Sequence, residues 1–189
     1  NLDVVRPGDA NEVAWAWKTV LERRKNPAGI ALTRQNIPVF NRVDADATGV
    51  VFAGAENTAK GAYVLAEASN GKPKVILIAT GSEVQLAVAA REQLEAKGFA
   101  TRVVSAPCLE WFEEQSAEYR ESVLPASVKA RVSVEAGLSL GWSKYVGGFG
   151  RSVSIEHFGA SADYKTLFRE FGMTVENVVA AAHDSLKSI

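Results

Sequence analysis

Arg34 is the polar residue of this chain that is best placed to bind an anion. The run from Gly29 to Thr33 predicts a strand, and Arg34-Gln35 follows it directly. In open α/β sheets, ligands collect beyond the carboxyl ends of the strands. A guanidinium offers a rigid fork of donors that matches a phosphate or a carboxylate. Position alone nevertheless favours an ordinary surface salt bridge, because exposed arginines are common.

The stretch Thr80-Gly81-Ser82 ends one predicted strand and opens a helix, where free backbone amides can hold an anion. Ser82 and Gln85, however, have the spacing of a capping box, which would satisfy two of those amides. The loop also lacks the glycines and the lysine of a P-loop. Simple capping of the helix is therefore the favoured interpretation.

Four further side chains could serve acid–base or nucleophilic chemistry, but the sequence supplies none of them with a reactive partner. Glu135 follows the apolar run 132–134 and is expected to be a half-buried carboxylate with a structural partner. Cys108 has no neighbouring base, so a plain buried thiol is expected. His157 and His183 have no evident nucleophile and are expected to be structural or solvated.

The aromatic residues Trp111, Phe112, Trp142 and Tyr145 fit two interpretations equally well. Aromatic side chains are enriched where protein partners meet. Packing in a hydrophobic core explains them just as well. Both interpretations stay open on the sequence alone.

The composition is that of a globular protein and excludes several function classes. The chain has 189 residues, 47% of them hydrophobic, which suffices to bury a core. Its 21 basic and 22 acidic residues leave no positive excess for nucleic acid or an anionic membrane. One cysteine and two histidines exclude an internal disulfide and a zinc cluster. With neither a bilayer-spanning apolar run nor a signal peptide evident, a cytoplasmic protein is expected.

Residues 1–40 predict a strand–helix–strand unit. The strand Leu2–Val5 precedes a helix with one apolar face, and a second strand follows. Asp9 and Glu12 have the spacing of a capping box at the start of the helix. The apolar face comprises Val13, Ala14, Trp17 and Leu21. One such βαβ unit cannot close a core alone, and a chain that starts in a strand without methionine suggests a cut inside a larger protein.

Residues 41–60 predict an inter-domain linker, and residues 61–189 predict a second α/β domain. The linker is a long irregular stretch rich in Gly, Asn and Asp. Beyond it, strands alternate with helices, which is typical of a mostly parallel sheet flanked by helices. Strands are expected at 62–68, 74–79, 100–105, 130–135 and 152–157. Helices are expected at 83–97 and at the carboxy terminus, with Val175, Val178, Val179, Ala182 and Leu186 on one face.

Several stretches of the sequence resemble the transketolase family and occur in the family's order. They are Arg6-Pro7-Gly8-Asp9-Ala10-Asn11-Glu12, Trp17-Lys18, Leu32-Thr33-Arg34-Gln35-Asn36-Ile37-Pro38, Ala79-Thr80-Gly81-Ser82-Glu83-Val84, Tyr119-Arg120-Glu121-Ser122-Val123-Leu124-Pro125, Val134-Glu135-Ala136-Gly137 and Phe158-Gly159-Ala160-Ser161-Ala162. The resemblance covers essentially the whole chain. It implies that residues 1–40 end a pyrimidine-binding domain and that residues 61–189 form the family's carboxy-terminal domain.

The resemblance also implies an activity for the parent enzyme. Transketolases move a two-carbon ketol unit from a ketose phosphate to an aldose phosphate in the pentose phosphate pathway. The resemblance also implies a homodimer that uses thiamine diphosphate held by Mg²⁺. The arginine of the family's Arg-Gln motif contacts the substrate phosphate, and that role falls to Arg34. The resemblance therefore reverses the odds that position alone gave for Arg34.

The family's cofactor and metal ligands lie in upstream domains, and this chain lacks a Gly-Asp-Gly motif followed by Asn-Asn. We therefore assign no catalytic, cofactor or metal residue here, and we expect the isolated chain to be inactive and to bind neither thiamine diphosphate nor Mg²⁺. The expected partners are sugar phosphates, the other domains of the same enzyme and a second copy. A free-standing dimerisation or ligand-binding module and a subunit of a split transketolase are the alternatives. The oxoacid dehydrogenase and deoxyxylulose phosphate synthase families share the architecture, but residues 33–36 fit transketolase better.

Overall fold

The computed structural model describes all of residues 1–189 and contains two β-sheets. The strands are β1 (Asp3–Val5), β2 (Ala28–Ile30), β3 (Tyr63–Ala66), β4 (Val75–Ala79), β5 (Thr101–Ser105), β6 (Ala130–Val134) and β7 (Arg151–Val153). The α-helices are α1 (Ala10–Glu22), α2 (Val84–Ala96), α3 (Leu109–Glu113), α4 (Ala117–Val123), α5 (Ser143–Val146), α6 (Tyr164–Glu170) and α7 (Val175–Lys187). None of these helices is both long and apolar enough to cross a bilayer.

The first 30 residues form the predicted βαβ unit, in which β1 and β2 pair in parallel. Asp9 caps α1, because its carboxylate accepts from the backbone N–H of Glu12 at 2.8 Å. The reciprocal bond differs from a standard capping box, since the Glu12 carboxylate accepts from the N–H of Gly8 at 2.7 Å. β2 ends at Ile30, earlier than predicted, although the Ala31 N–H still donates to the Val5 carbonyl at 2.8 Å.

The apolar face predicted for α1 is not the buried one. Trp17 is 52% exposed and Leu21 is 70% exposed. The residues of α1 that are buried are Glu12, Ala16 and Thr19. The prediction of the buried face was wrong, because the side of α1 that packs here carries a buried carboxylate, which no hydrophobic pattern reveals.

The five-stranded sheet confirms an α/β fold with a mostly parallel sheet flanked by helices. Its strand order is β3-β5-β4-β6-β7, with only β3 antiparallel to its neighbour. Residues of β4 alternate between two cores: Val75, Leu77 and Ala79 face one, and Ile76 and Ile78 face the other. β7 ends at Val153, so the predicted strand at 152–157 is shorter than expected.

Helices α2 and α7 cover the first of these cores. The five apolar residues predicted on one face of α7 all pack there, as expected. The second core lies on the opposite face of the sheet and is filled by Phe112, Trp142 and Tyr145. Together with Trp111, which is fully buried, these aromatic residues belong to the interior, which decides the question that the sequence left open.

The segment predicted as a linker, residues 41–60, is mostly exposed in its first half and packed in its second half. Phe40 and Phe52 are buried and their ring centroids lie 4.9 Å apart. A 3₁₀ helix, Ala55–Lys60, follows and lies against α1. The two α/β units therefore touch through this segment and through their own side chains.

Candidate functional site: the Arg34 cleft and two buried carboxylate networks

Arg34 lies on the surface, four residues after the end of β2. None of the ion pairs in the structure involves Arg34, so the salt bridge that position alone favoured is absent. Its neighbours Thr33 and Gln35 are partly buried, and the Thr33 hydroxyl bonds to the Gln35 side chain. The local chain is thus held on either side of a guanidinium whose donors are free for a ligand.

Arg34 lines an open cleft between the two α/β units. Gln35 and Asn36 lie beside it, and Asp163 and Tyr164 at the start of α6 form the other wall. The Asp163 carboxylate caps α6, accepting from the N–H of Thr166 at 3.1 Å. Hydrogen bonds from Thr166 lower the pKa of Asp163, so this wall carries a negative charge at neutral pH.

A cluster around Arg6 lies at the neighbouring end of the sheet. One Arg6 nitrogen donates to Glu83 at 2.8 Å, and another pairs with Glu135. The Glu135 carboxylate also accepts from the Trp142 indole at 2.6 Å. Glu135 therefore has the structural partner that was expected. Arg6 itself was missed, because its partners lie 77 and 129 residues away in sequence and no local pattern marks it.

The capping box predicted for Ser82 and Gln85 is wrong. The Ser82 hydroxyl bonds to the Glu83 carboxylate instead, and α2 has no side-chain cap. Gln85 donates from its side chain to the Ser82 carbonyl at 2.9 Å. The residues have the right types and spacing, but a one-turn 3₁₀ helix (Gly81–Glu83) precedes α2 and shifts its start past Ser82.

A second carboxylate network, around Glu12, joins the two units. Glu12 is buried and accepts from the Tyr63 hydroxyl at 2.6 Å and from the Ser105 hydroxyl at 2.7 Å. Arg42 pairs with the neighbouring Asp9 at 3.0 Å. Burial raises the pKa of Glu12, because the low-dielectric interior penalises its charged form. The sequence did not predict this network, because the spacing of a capping box already accounted for Asp9 and Glu12.

The remaining sequence candidates have structural surroundings. Cys108 is buried, and burial raises the pKa of its thiol, so it is a plain buried thiol as expected. His157 is exposed and packs edge-on against Phe171, with ring centroids 4.6 Å apart. His183 packs in the same way against Phe99 at 4.9 Å. Neither imidazole contacts a nucleophile.

The acidic side chains of this chain do not fit a thiamine diphosphate or Mg²⁺ site. No three His, Cys, Asp or Glu side chains are grouped so that they could hold a metal ion. The carboxylates of Glu83 and Glu135 share the guanidinium of Arg6. Glu12 is saturated by hydroxyl and amide donors.

Comparison with known proteins decides the family. A family model described as the transketolase-like TK C-terminal domain matches residues 61–174. The chain belongs to the transketolase family. A transketolase from Mycobacterium leprae is 55% identical over 98% of this chain and 26% of its own length. The chain thus spans about a quarter of the length of the curated transketolases that it matches.

Solved transketolase structures have the same fold as this chain. The transketolase from Leishmania mexicana has a TM-score of 0.87 and 37% identity, covering 99% of this chain and 25% of its own. A Pichia stipitis transketolase in complex with sedoheptulose 7-phosphate has a TM-score of 0.85 at the same identity and coverage. Both structures cover 99% of this chain, so the transketolase likeness extends beyond residues 61–174 to the βαβ unit.

Proposed function

We propose that this chain is the carboxy-terminal portion of a transketolase and that Arg34 binds the phosphate of its sugar substrates. The parent enzyme transfers a two-carbon ketol unit from a ketose phosphate to an aldose phosphate. The observation that carries the proposal is the combination of a whole-chain match to transketolases with an exposed guanidinium that has no ion-pair partner. An arginine free of carboxylates keeps its donors for an incoming phosphate.

The chemistry at the reacting carbon belongs to thiamine diphosphate, which upstream domains would hold together with Mg²⁺. The residues of this chain bind and orient. Arg34 would hold the phosphate end of the sugar at the mouth of the site, which limits the motion of the reacting end. Arg34 is the one cationic residue that lines the cleft, so a single terminal phosphate is the ligand that suits it.

Relatives support a sugar phosphate as the ligand. The Pichia stipitis transketolase has been solved with sedoheptulose 7-phosphate, and mutants of it with xylulose 5-phosphate and with fructose 6-phosphate. These three ketoses differ in length and share a terminal phosphate, so a phosphate contact at a fixed position would serve all of them. We further propose a cytoplasmic homodimer, acting in the pentose phosphate pathway, in line with the family resemblance.

The experiment that tests the activity uses the complete polypeptide that contains this chain. It is supplied with thiamine diphosphate, Mg²⁺, a ketose phosphate and an aldose phosphate, and the products are separated by chain length. The expected products are an aldose phosphate two carbons shorter than the donor and a ketose phosphate two carbons longer than the acceptor. Finding no two-carbon exchange would overturn the proposal.

A further inference from the structure

The five-stranded sheet has a crevice of the kind in which α/β proteins usually bind ligands. From β4 the chain passes through α2 to β5 on one side, whereas from β6 it continues to β7 on the other. Ligands generally lie beyond the carboxyl ends of the strands at such a switch point. Here Glu83 and Glu135 follow those two strand ends, and we call the space between them the acidic crevice.

The acidic crevice is occupied by a side chain of the preceding unit. Arg6 follows β1 directly and pairs with both Glu83, at 2.8 Å, and Glu135. Glu83 is 1% exposed, so its charge needs a partner inside the protein. The Arg6 carbonyl also accepts from the Gly81 N–H at 2.9 Å. Backbone and side chain of Arg6 are therefore both anchored in the second unit.

The guanidinium is closely packed on the side of the loop that follows β4. Gly81 has φ +58°, a conformation that favours glycine, and a Cβ at this position would lie 3.2 Å from an Arg6 nitrogen. The Ala136 N–H donates to the Glu83 carboxylate at 3.1 Å, so Glu83 has a backbone donor beside Arg6. Arg6 thus takes the place that a small ligand would hold in other sheets of this type.

Anchoring Arg6 also fixes the start of the Arg34 loop. The residue before Arg6 is Val5, whose carbonyl accepts from the N–H of Ala31 at 2.8 Å, three residues before Arg34. Thr33 and Gln35, on either side of Arg34, line the same small cleft as Arg6 and Glu83. Arg6 is thus linked to the Arg34 loop by the backbone hydrogen bond of its neighbour Val5, and it lines the same cleft as Thr33 and Gln35.

We infer that Arg6, docked in the acidic crevice, is a positioning residue that holds Arg34 in place for the substrate phosphate. The second unit serves as the fixed support for a binding residue of the first. This inference rests on the proposed phosphate contact of Arg34.

The test measures KM and kcat of the complete enzyme for a sugar phosphate and for the same sugar without phosphate. Glu135→Gln keeps the size and the acceptor oxygen but removes one charge from the acidic crevice. We expect KM for the phosphorylated sugar to rise about threefold to tenfold, with kcat and the unphosphorylated sugar unchanged, because only phosphate binding loosens. Amide hydrogen exchange of residues 31–36 should become faster in the same variant.

A matched control removes an ion pair of the same sheet that has no link to Arg34. Glu67→Gln breaks the 2.6 Å pair between Glu67 and Arg102, and it should leave both substrates unaffected. Arg6→Lys should raise KM for the phosphorylated sugar less than Arg6→Met does, since the ammonium keeps one of the two ion pairs.

Comparison with Arg34→Ala separates the two claims. If Arg34→Ala impairs only the phosphorylated sugar while Glu135→Gln impairs neither or both sugars equally, the positioning role is overturned and the phosphate contact stands. If Arg34→Ala impairs both sugars equally, the proposed phosphate contact is wrong, and the positioning role that rests on it is wrong as well. If Arg6→Met does not fold, Glu135→Gln and Arg6→Lys still decide the question.

Discussion

The Tyr63 hydroxyl donates a 2.6 Å hydrogen bond to the Glu12 carboxylate across 51 residues of sequence. This bond joins helix α1 of the βαβ unit to the edge strand β3 of the five-stranded sheet. Ser105 on the adjacent strand donates to the same oxygen at 2.7 Å. The two units therefore share a buried polar contact, and its central group is a carboxyl with a raised pKa.

Glu12→Gln should change the pH dependence of stability in a defined direction. Burial raises the pKa of Glu12 above its ordinary value of about 4.3. In the pH window between the unfolded and the folded pKa, the folded state therefore binds more protons than the unfolded state. The contribution of Glu12 to the free energy of unfolding therefore falls as the pH rises through the window and is constant above it. The difference, variant minus wild type, should rise with pH in urea denaturation series. A difference that falls with pH would mean that the charged form of Glu12 is favoured by folding.

Trp111→Phe should destabilise the chain more at neutral pH than in acid. The Trp111 indole donates to the Asp3 carboxylate at 2.7 Å. Burial opposes ionisation of Asp3, but hydrogen bonds from Trp111 and Asn26 prevail and lower its pKa. This stabilisation is present above the unfolded pKa and is lost as the pH falls through the folded pKa.

The expected loss for Trp111→Phe at neutral pH is about 1.5 to 3 kcal/mol, the usual contribution of a hydrogen bond to a charged group. Trp17→Phe is the matched control, because Trp17 is half exposed. It should change the free energy of unfolding by less than about 0.5 kcal/mol. Equal losses at neutral pH and in acid would show that Trp111 contributes by packing alone.

Limited proteolysis should cut first between residues 43 and 51. Val43 is 85% exposed, and the chain there has no regular structure, whereas Phe40 and Phe52 on either side are buried. Thermolysin followed by mass measurement should yield a stable fragment that starts near residue 50 and runs to the carboxy terminus. First cuts inside α2 or α7 would contradict the division into two units.

The isolated chain should bind neither thiamine diphosphate nor Mg²⁺. Mg²⁺ needs several oxygen ligands in near-octahedral geometry, and the described carboxylates form no such group. Calorimetric titration of the chain with each ligand should show no saturable heat at micromolar concentrations. Micromolar binding of either would mean that this chain carries ligands which we have not recognised.

The sequence predicted the second unit well because its pattern is local. Alternation of strands and helices located β4, β5 and β6 to within two residues, and the apolar face of α7 was correct. The strands β2 and β7 end at Ile30 and Val153, earlier than predicted, because the pairing with the neighbouring strand stops there. Hydrophobic periodicity indicates which residues are buried, but it does not indicate which residues pair between strands.

The contacts between the units could not be predicted, because each depends on residues far apart in sequence. In the sequence, Arg6 follows a strand and cannot be told from a surface arginine. Its partners Glu83 and Glu135 come close to it only in the folded sheet. The exposed face of α1, with Trp17 and Leu21, was misjudged for the same reason. Arg34 lies four residues beyond the end of β2 and not directly after it, and only the family resemblance favoured a phosphate over a salt bridge.

The most direct test of the central claim compares catalytic efficiencies, kcat/KM, for a sugar phosphate and for the same sugar without phosphate. Both are measured in the complete enzyme, wild type and Arg34→Ala. Loss of a hydrogen bond to a charged group should lower the efficiency for the phosphorylated sugar about 10-fold to 150-fold, mostly through KM, and leave the other sugar nearly unchanged. Arg34→Lys should recover part of the loss, because it keeps the charge without the fork of donors. An equal fall for both sugars would contradict the account and make Arg34 a structural residue.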